Sequence, residues 1–311
     1  MIAATRTAIT LSGLIENFVY ASLTCKEHQR AFNAAACNRF VHASGADAPA
    51  DIAAANIEEY LAAMLRAGSS PKTVRNHRGA ISAFCSFLRR RGLLDHNPVA
   101  DVPAPPVVRR PIIILSENEC AQALALAQQH GRLAEVAVAL YTGLRAGEIR
   151  NLLWSDLDLD SDKPTLLVRE SKTKKPRIVP VCRPLAEILR RQHREAGAFA
   201  WVFPARHTFP GGWKYVNRQR CEDTLERQLA PIRQAMKKFA LAGRGTGSGW
   251  HLFRHTFVTR AIVKIGSDKL TTIRDWAGHS SVTMTERYLH LAQGYDEAIE
   301  LLAVGPVDGS R

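Results

Sequence analysis

The stretch Tyr141-Thr142-Gly143-Leu144-Arg145-Ala146-Gly147-Glu148-Ile149 decides how the chain is read. An apolar run from Leu133 to Tyr141 predicts a helix, Gly143 suits a turn, and Glu148 follows Arg145 by three residues. On a helix such a pair shares a face, so the carboxylate can hold the guanidinium. Upstream, Leu115-Ser116-Glu117-Asn118-Glu119 reads as an N-cap with acidic first-turn residues, opening a helix to about His130. Downstream, Trp154–Asp160, Thr165–Glu170 and Arg177–Val181 carry strand-like alternation or β-branched residues, separated by the polar turns DSDKP and SKTKKP. These predict a small antiparallel three-stranded sheet. From Pro184 on the pattern is mainly helical, with a Gly-rich loop over Gly243–Gly249.

The 311 residues suit two domains at roughly 100–200 residues each. Asp95 to Pro111 reads DHNPVADVPAPPVVRRP, with five prolines that deny backbone donors and disfavour helix before them. The expected division is therefore 1–103, a linker over 104–111, and 112–311. The first part reads as all-helical, with helices over Thr10–Leu23, Glu27–Phe40, Ile52–Arg66 and Pro71–Arg91. Pro71 after Ser69-Ser70 suits a first helical position, and Gly92 after three arginines suits a stop. The fold class is mainly α with a small antiparallel β-sheet, an α+β chain.

Hydrophobic residues make up 46% and charged residues 23%, which excludes a wholly disordered, collagen-like or membrane-embedded chain. No uncharged run reaches the ~18 residues that span a bilayer, and no signal peptide is evident, so the expected location is the cytoplasm. Six scattered cysteines form no C-x-x-C pair and predict no structural zinc. The net charge of +13 favours a polyanionic partner, nucleic acid before anionic membrane. Between Glu59 and Asp95 there is no acid, while Arg66, Lys72, Arg75, Arg78 and Arg89-Arg90-Arg91 fall in that span. Lys72, Arg75 and Arg78 are candidate contacts to a phosphate backbone; a solvated basic face is the plainer alternative.

Two more short stretches complete the pattern. They are His251-Leu252-Phe253-Arg254-His255, and Gly278-His279-Ser280-Ser281 with Tyr288 nine residues after His279. With T-G-L-R-x-x-E at 142–148, these motifs stand in the order and spacing of the tyrosine recombinase (phage integrase) family, which the chain resembles over nearly its whole length. The resemblance implies a helical core-binding domain over 1–103 and a catalytic domain over 112–311. Gly249-Trp250 stands where family members often carry a proline, which leaves the start of that helix open. No extra N-terminal domain is expected ahead of the core-binding helices, which points to a compact, Xer-like or simple integrase type.

The residues fit that chemistry in their own right. Attack on a phosphodiester builds negative charge on the non-bridging oxygens, and the guanidinium forks of Arg145 and Arg254 suit it. Glu148 is the candidate support for Arg145. His251 and Arg254, three apart, project from one helix face. The resemblance implies that His251 exchanges the phenol proton; His255 is expected to point elsewhere, as a packed core histidine. His279, following a helix stop at Gly278, is expected in a turn where it can hydrogen-bond a phosphate oxygen. Tyr288 is the implied nucleophile, with Tyr295 as competitor. Lys172 matches the family's general acid, with Lys174 and Lys175 as close alternatives or phosphate contacts.

The implied activity is DNA cleavage and rejoining through a 3′-phosphotyrosine, with neither ATP, metal nor other cofactor. The implied partners are double-stranded DNA and three further copies, four protomers on two sites. A second recombinase or a directionality factor is left open. The apolar segment Asp296–Val304 is a candidate for docking on a neighbour. Two rival readings are a type IB topoisomerase and a non-catalytic DNA-binding regulator on the same fold.

Overall fold

The computed structural model describes residues 10–21, 26–106, 111–169, 176–196, 199–209, 212–216, 229–236 and 248–292. Contacts divide the chain into two compact units, Met1–Arg110 and Pro111–Arg311.

The first unit is helical throughout its described residues: α1 (Leu11–Ala21), α2 (Glu27–Ser44), α3 (Ala54–Arg66) and α4 (Pro71–Arg90). Ser70 caps α4, its hydroxyl accepting from the Thr73 N–H at 3.1 Å, with Pro71 at the first position. Val74, His77, Ile81, Phe84 and Leu88 recur every three or four residues and bury one face of α4. Of these, Val74, Ile81, Phe84 and Leu88 meet Leu14, Phe18, Phe40, Ile57 and Leu61 in one core. Helix α2 runs four residues past the expected Phe40. Helix α3 starts later than expected, because a 3-10 turn over Pro49–Asp51 precedes it, tied by Asp51 Oδ2 to the Asp47 and Ala48 N–H groups.

The start of the proline-rich segment is a docked structure. Pro98–Asp101 forms a 3-10 turn whose Val99 is buried. Arg78 donates to the Val99 and Val102 carbonyls at 2.7–2.9 Å, and Arg75 donates to the Pro105 carbonyl at 2.7 Å. Asn97 Nδ2 donates to Ser82 and Ser86 of α4.

The second unit is built around α6 (Leu133–Thr142), which is buried on nearly every side. Around it pack α5 (Glu117–Gln129), α8 (Arg183–Ala196) and α10 (Ser248–Ile265). Ser116 and Glu119 form a reciprocal capping box at the start of α5, as the sequence predicts. Helix α7 (Ala146–Arg150) leads into the sheet. Strands β1 (Leu157–Asp158), β2 (Thr165–Val168) and β3 (Arg177–Pro180) pair antiparallel in that order, with Leu166 opposite Val179 and Val168 opposite Arg177. The first strand is shorter than expected, since Trp154–Asp156 is a 3-10 turn closed by Asp156 on the Leu153 N–H.

The region after Pro184 departs from the helical expectation at β4 (Ala205–Phe209) and β5 (Gly212–Val216), an antiparallel pair. Thr208, Phe209, Trp213, Tyr215 and Val216 are strand formers, and Pro210-Gly211-Gly212 between them is a turn signal. Further on lie α9 (Ala230–Ala235), α11 (Leu270–Ala277), α12 (Val282–Glu286) and α13 (Leu289–Ala292). Helix α10 begins at Ser248, so Gly249 of the expected loop is helical. Helix α11 packs on β3 and on α10, which brings strand, central helices and C-terminal turn to one place. No helix among the described residues is long and apolar enough to cross a membrane. Lys172, Lys174, Lys175, Tyr295 and Asp296–Val304 lie outside the described residues.

Candidate active site

The site begins where α6 stops. Gly143 ends the helix in the left-handed region at φ 64°, and a Cβ there would strike the Phe257 ring. Only glycine meets both demands. Its carbonyl accepts from Arg254 Nη1 at 2.7 Å. Arg145 then caps α7, and Glu148 folds back on it, accepting from the Arg145 N–H and from its Nη1, both at 2.9 Å. The pairing expected between Arg145 and Glu148 is therefore present. The backbone donor at this helix start is taken by Glu148. The second Arg145 nitrogen, Nη2, reaches the Gly278 carbonyl at 2.7 Å.

Arg254 projects from α10 and is 4% exposed. Its Nη2 is buried with no hydrogen-bond partner among the described residues. Burial first, then the Arg145 charge, pulls its pKa down to about 9, so it stays a cation at pH 7. A buried cation with an uncommitted donor is costly unless an anion arrives to take it.

Tyr288 sits between α12 and α13, 5% exposed, packed on Val258, Ile262, Ile273 and Ala277. Burial raises its pKa, against the opposing pull of Arg254, Arg287 and Arg145. The phenol is therefore protonated at rest. Its hydroxyl lies 2.7 Å from His255 Nδ1. This corrects the expectation that His255 points elsewhere. Burial, with His251, Arg254 and Arg287 nearby, pushes His255 down to about 4, so the ring is neutral and can accept. His251 is exposed, its ring centroid 6.2 Å from that of His255.

His279 follows Gly278, which ends α11 at φ 66°, so the expected turn is present. The residue is buried, however, with Nδ1 on Thr285 Oγ1 at 2.8 Å and its ring stacked 5.9 Å from Tyr288. Burial, then Arg254 and Arg145, drives its pKa to about 3. Nδ1 being engaged, Nε2 is the nitrogen left to meet a ligand. A cleft of about 460 Å³ opens beside Arg177, Arg274, Gly278, His279 and Ser280.

The fold thus gathers Arg145, Glu148, Arg254, His279 and Tyr288 from four separate segments, with His251 at the rim. Lys72, Arg75 and Arg78 belong to the first unit; Lys72 is exposed, and the two arginines are bound to carbonyls of their own unit. Sequence reasoning missed two members. His255 had a signal, since it lies four residues from His251 and so on the same helix face. Arg177 had none, because it closes the basic run Lys174-Lys175-Pro176-Arg177 and reads as one more solvated charge.

The phage integrase family model matches residues 114–294. The tyrosine recombinase XerC of Xanthomonas axonopodis pv. citri (strain 306) is 30% identical over 255 residues, covering 78% of this chain and 77% of that protein. Among solved structures, a lambda integrase dimer bound to a COC′ core site superposes with a TM-score of 0.70 at 20% identity, over 92% of this chain and 97% of that one. A lambda integrase tetramer bound to a Holliday junction gives 0.70 at 18% identity, over 91% and 78%. With the family model spanning more than half of its residues, this chain belongs to the phage integrase family of tyrosine recombinases.

Proposed function

We propose that this protein is a site-specific DNA recombinase in which Tyr288 cleaves and Arg145, Arg254 and His279 hold the scissile phosphate. The observation that carries the reading is the buried, unpartnered Nη2 of Arg254 in the same cluster as a phenol bonded to a neutral histidine. The phosphate supplies the acceptor that Arg254 lacks. Arg145 adds charge, and His279 donates through Nε2. Donors fixed before the reaction need no reorganisation as charge builds, and one such donor is typically worth ~10²–10³ in rate.

Tyr288 Oη attacks phosphorus, the bond to the 5′-oxygen breaks, and a 3′-phosphotyrosine forms. The phenol proton passes to the histidine pair: His255 is hydrogen-bonded to the hydroxyl, and His251 stands beside it on the same helix face. The leaving 5′-oxygen takes a proton from Lys172, with Lys174 or Lys175 holding neighbouring phosphates. The bond energy stays in the phosphotyrosine, so attack by a 5′-hydroxyl restores the strand without ATP.

Residues 1–103 serve as the core-binding domain, 104–111 as linker and 112–311 as the catalytic domain. Lys72 is the α4 residue we assign to a DNA phosphate. Arg75 and Arg78 act first on the segment that leaves α4. The proposed assembly is four copies on two DNA sites, a reading supported by the dimeric and tetrameric lambda integrase complexes, and the proposed location is the cytoplasm.

Covalent capture tests this. Wild type and Tyr288→Phe are incubated with fragmented, nicked genomic DNA, and SDS-resistant adducts are isolated and sequenced. Adducts are expected only with wild type, clustered on one inverted-repeat sequence. Scattered adducts indicate a topoisomerase-like activity, adducts with both proteins overturn Tyr288, and tight binding without adducts indicates a non-catalytic regulator.

A further inference from the structure

We propose that Arg177, which no sequence motif singles out, is a positioning residue for strand cleavage that keeps Arg145 available to the phosphate and sets the turn carrying His279. The inference rests on the recombinase reading above.

Arg177 stands at the start of β3 with its side chain 9% exposed. All three of its side-chain nitrogens are engaged. Nη1 and Nη2 grip Glu148 Oε1 and Oε2 at 3.0 and 2.7 Å, a two-pronged pair, and Nε donates to the Trp276 carbonyl at 2.9 Å. Glu148 also receives the two bonds from Arg145. Two arginines thus share one buried carboxylate, and each extends to a carbonyl at the end of α11: Arg177 to Trp276, Arg145 to Gly278. That end of α11 carries His279, whose own N–H returns to the Arg274 carbonyl.

Two consequences follow. First, Arg177 lies flat against Gly278. A Cβ on Gly278 would sit 2.7 Å from Cζ and 2.8 Å from Nη1 of Arg177, so the guanidinium and the left-handed glycine define the turn together. Second, Arg177 limits the grip of Glu148 on Arg145. With both oxygens already held by the Arg177 fork, Glu148 takes one side-chain nitrogen of Arg145. Without that fork, Glu148 can draw Arg145 into a bidentate pair, the geometry a carboxylate and a guanidinium favour. Nη2 of Arg145 would then leave Gly278, and the phosphate would lose both a donor and a fixed His279. Lysine cannot substitute, because one ammonium cannot serve a carboxylate fork and a carbonyl in one plane.

The test is a double-mutant cycle on cleavage, with saturating enzyme on a nicked duplex bearing the sequence trapped by wild type. Arg177→Ala and Arg177→Lys are each expected to slow adduct formation about 10–100-fold, by analogy with groups that orient a metal-ligating side chain. Affinity for an unnicked duplex of the same sequence stays near wild type. Arg145→Lys is expected to keep a residual rate, and in that background Arg177→Ala is expected to cost clearly less than in wild type, because the part of its effect that runs through Arg145 is already lost. An undiminished penalty in that background overturns the proposal. So does a wild-type rate for Arg177→Ala, or a rate loss that tracks a lost folded fraction by circular dichroism. Absence of adducts with wild type would instead overturn the recombinase reading itself.

Discussion

Arginine plays two different parts in the two units. On α4 of the first unit, Arg75 and Arg78 reach carbonyls of Val99, Val102 and Pro105, so their donors close a structural contact. In the second unit, Arg145 and Arg177 share the carboxylate of Glu148, and Arg254, on the Gly143 carbonyl, keeps a buried donor with no partner among the described residues. The first arrangement satisfies the charge within the unit. The second leaves positive charge in excess where water is excluded, which favours an incoming anion. A count of basic residues cannot separate the two. What each guanidinium already touches can.

The strongest way to break this contrast is to remove an arginine on each side and read cleavage and stability separately. Arg254→Lys is expected to reduce the rate of adduct formation by ~10²–10³, since a lysine cannot keep both the Gly143 bond and a fixed phosphate donor. Single-turnover cleavage of nicked DNA checks it, and a rate within a few-fold of wild type would remove Arg254 from the phosphate site. Arg78→Ala is expected to do the reverse. It should lower stability by about 1.5–3 kcal/mol in urea unfolding, the range for hydrogen bonds involving a charged group, and leave the salt dependence of DNA binding unchanged. Lys72→Ala sharpens the comparison from the other side: it should leave stability alone and reduce the slope of log affinity against log salt by ~1. If Arg78 moves the salt slope and Lys72 does not, the assignment of α4 is inverted.

The smallest expected effect concerns acid. His255 and His279 have folded pKa values near 4 and 3, below the ~6.5 of an unfolded histidine. In both, the unfolded chain binds more protons below pH 6.5. Their stabilisation is therefore complete above that pH, and is lost as pH falls through about 4 and then 3. In Glu148, burial works to raise the carboxyl, but the Arg177 and Arg145 bonds more than offset it, and its folded pKa is lowered. It acts with the same sign at lower pH. Melting temperature should fall from pH 7 to pH 4, and His255→Gln should flatten part of that slope. A flat profile in wild type would show that these rings are not neutral and buried together.

Local chemistry made much of this legible. The Ser116–Glu119 capping box, the Ser70-Pro71 start of α4, the Arg145–Glu148 pair and the turn at Gly278 each depend on residues within four positions of one another. The antiparallel pair β4 and β5 was hidden because strand formers stood inside a stretch dominated by helical signals. His255 carries two opposed local signals, adjacency to Arg254 and a four-residue spacing from His251, and its contact with Tyr288 comes from packing across 33 residues.

Fold class, the three-stranded sheet, and the residue types and order of the phosphodiester chemistry are legible from the residues alone, because periodicity, caps and motif spacing are local. Which charges act on which is set by the packing of distant segments. Arg177 is 29 residues from Glu148 and 99 from Trp276, and Tyr288 is 33 from His255. Contacts over such separations depend on how β3, α7, α10 and α11 pack. Packing also excludes the water that would otherwise leave an arginine, a histidine or a phenol with its ordinary properties.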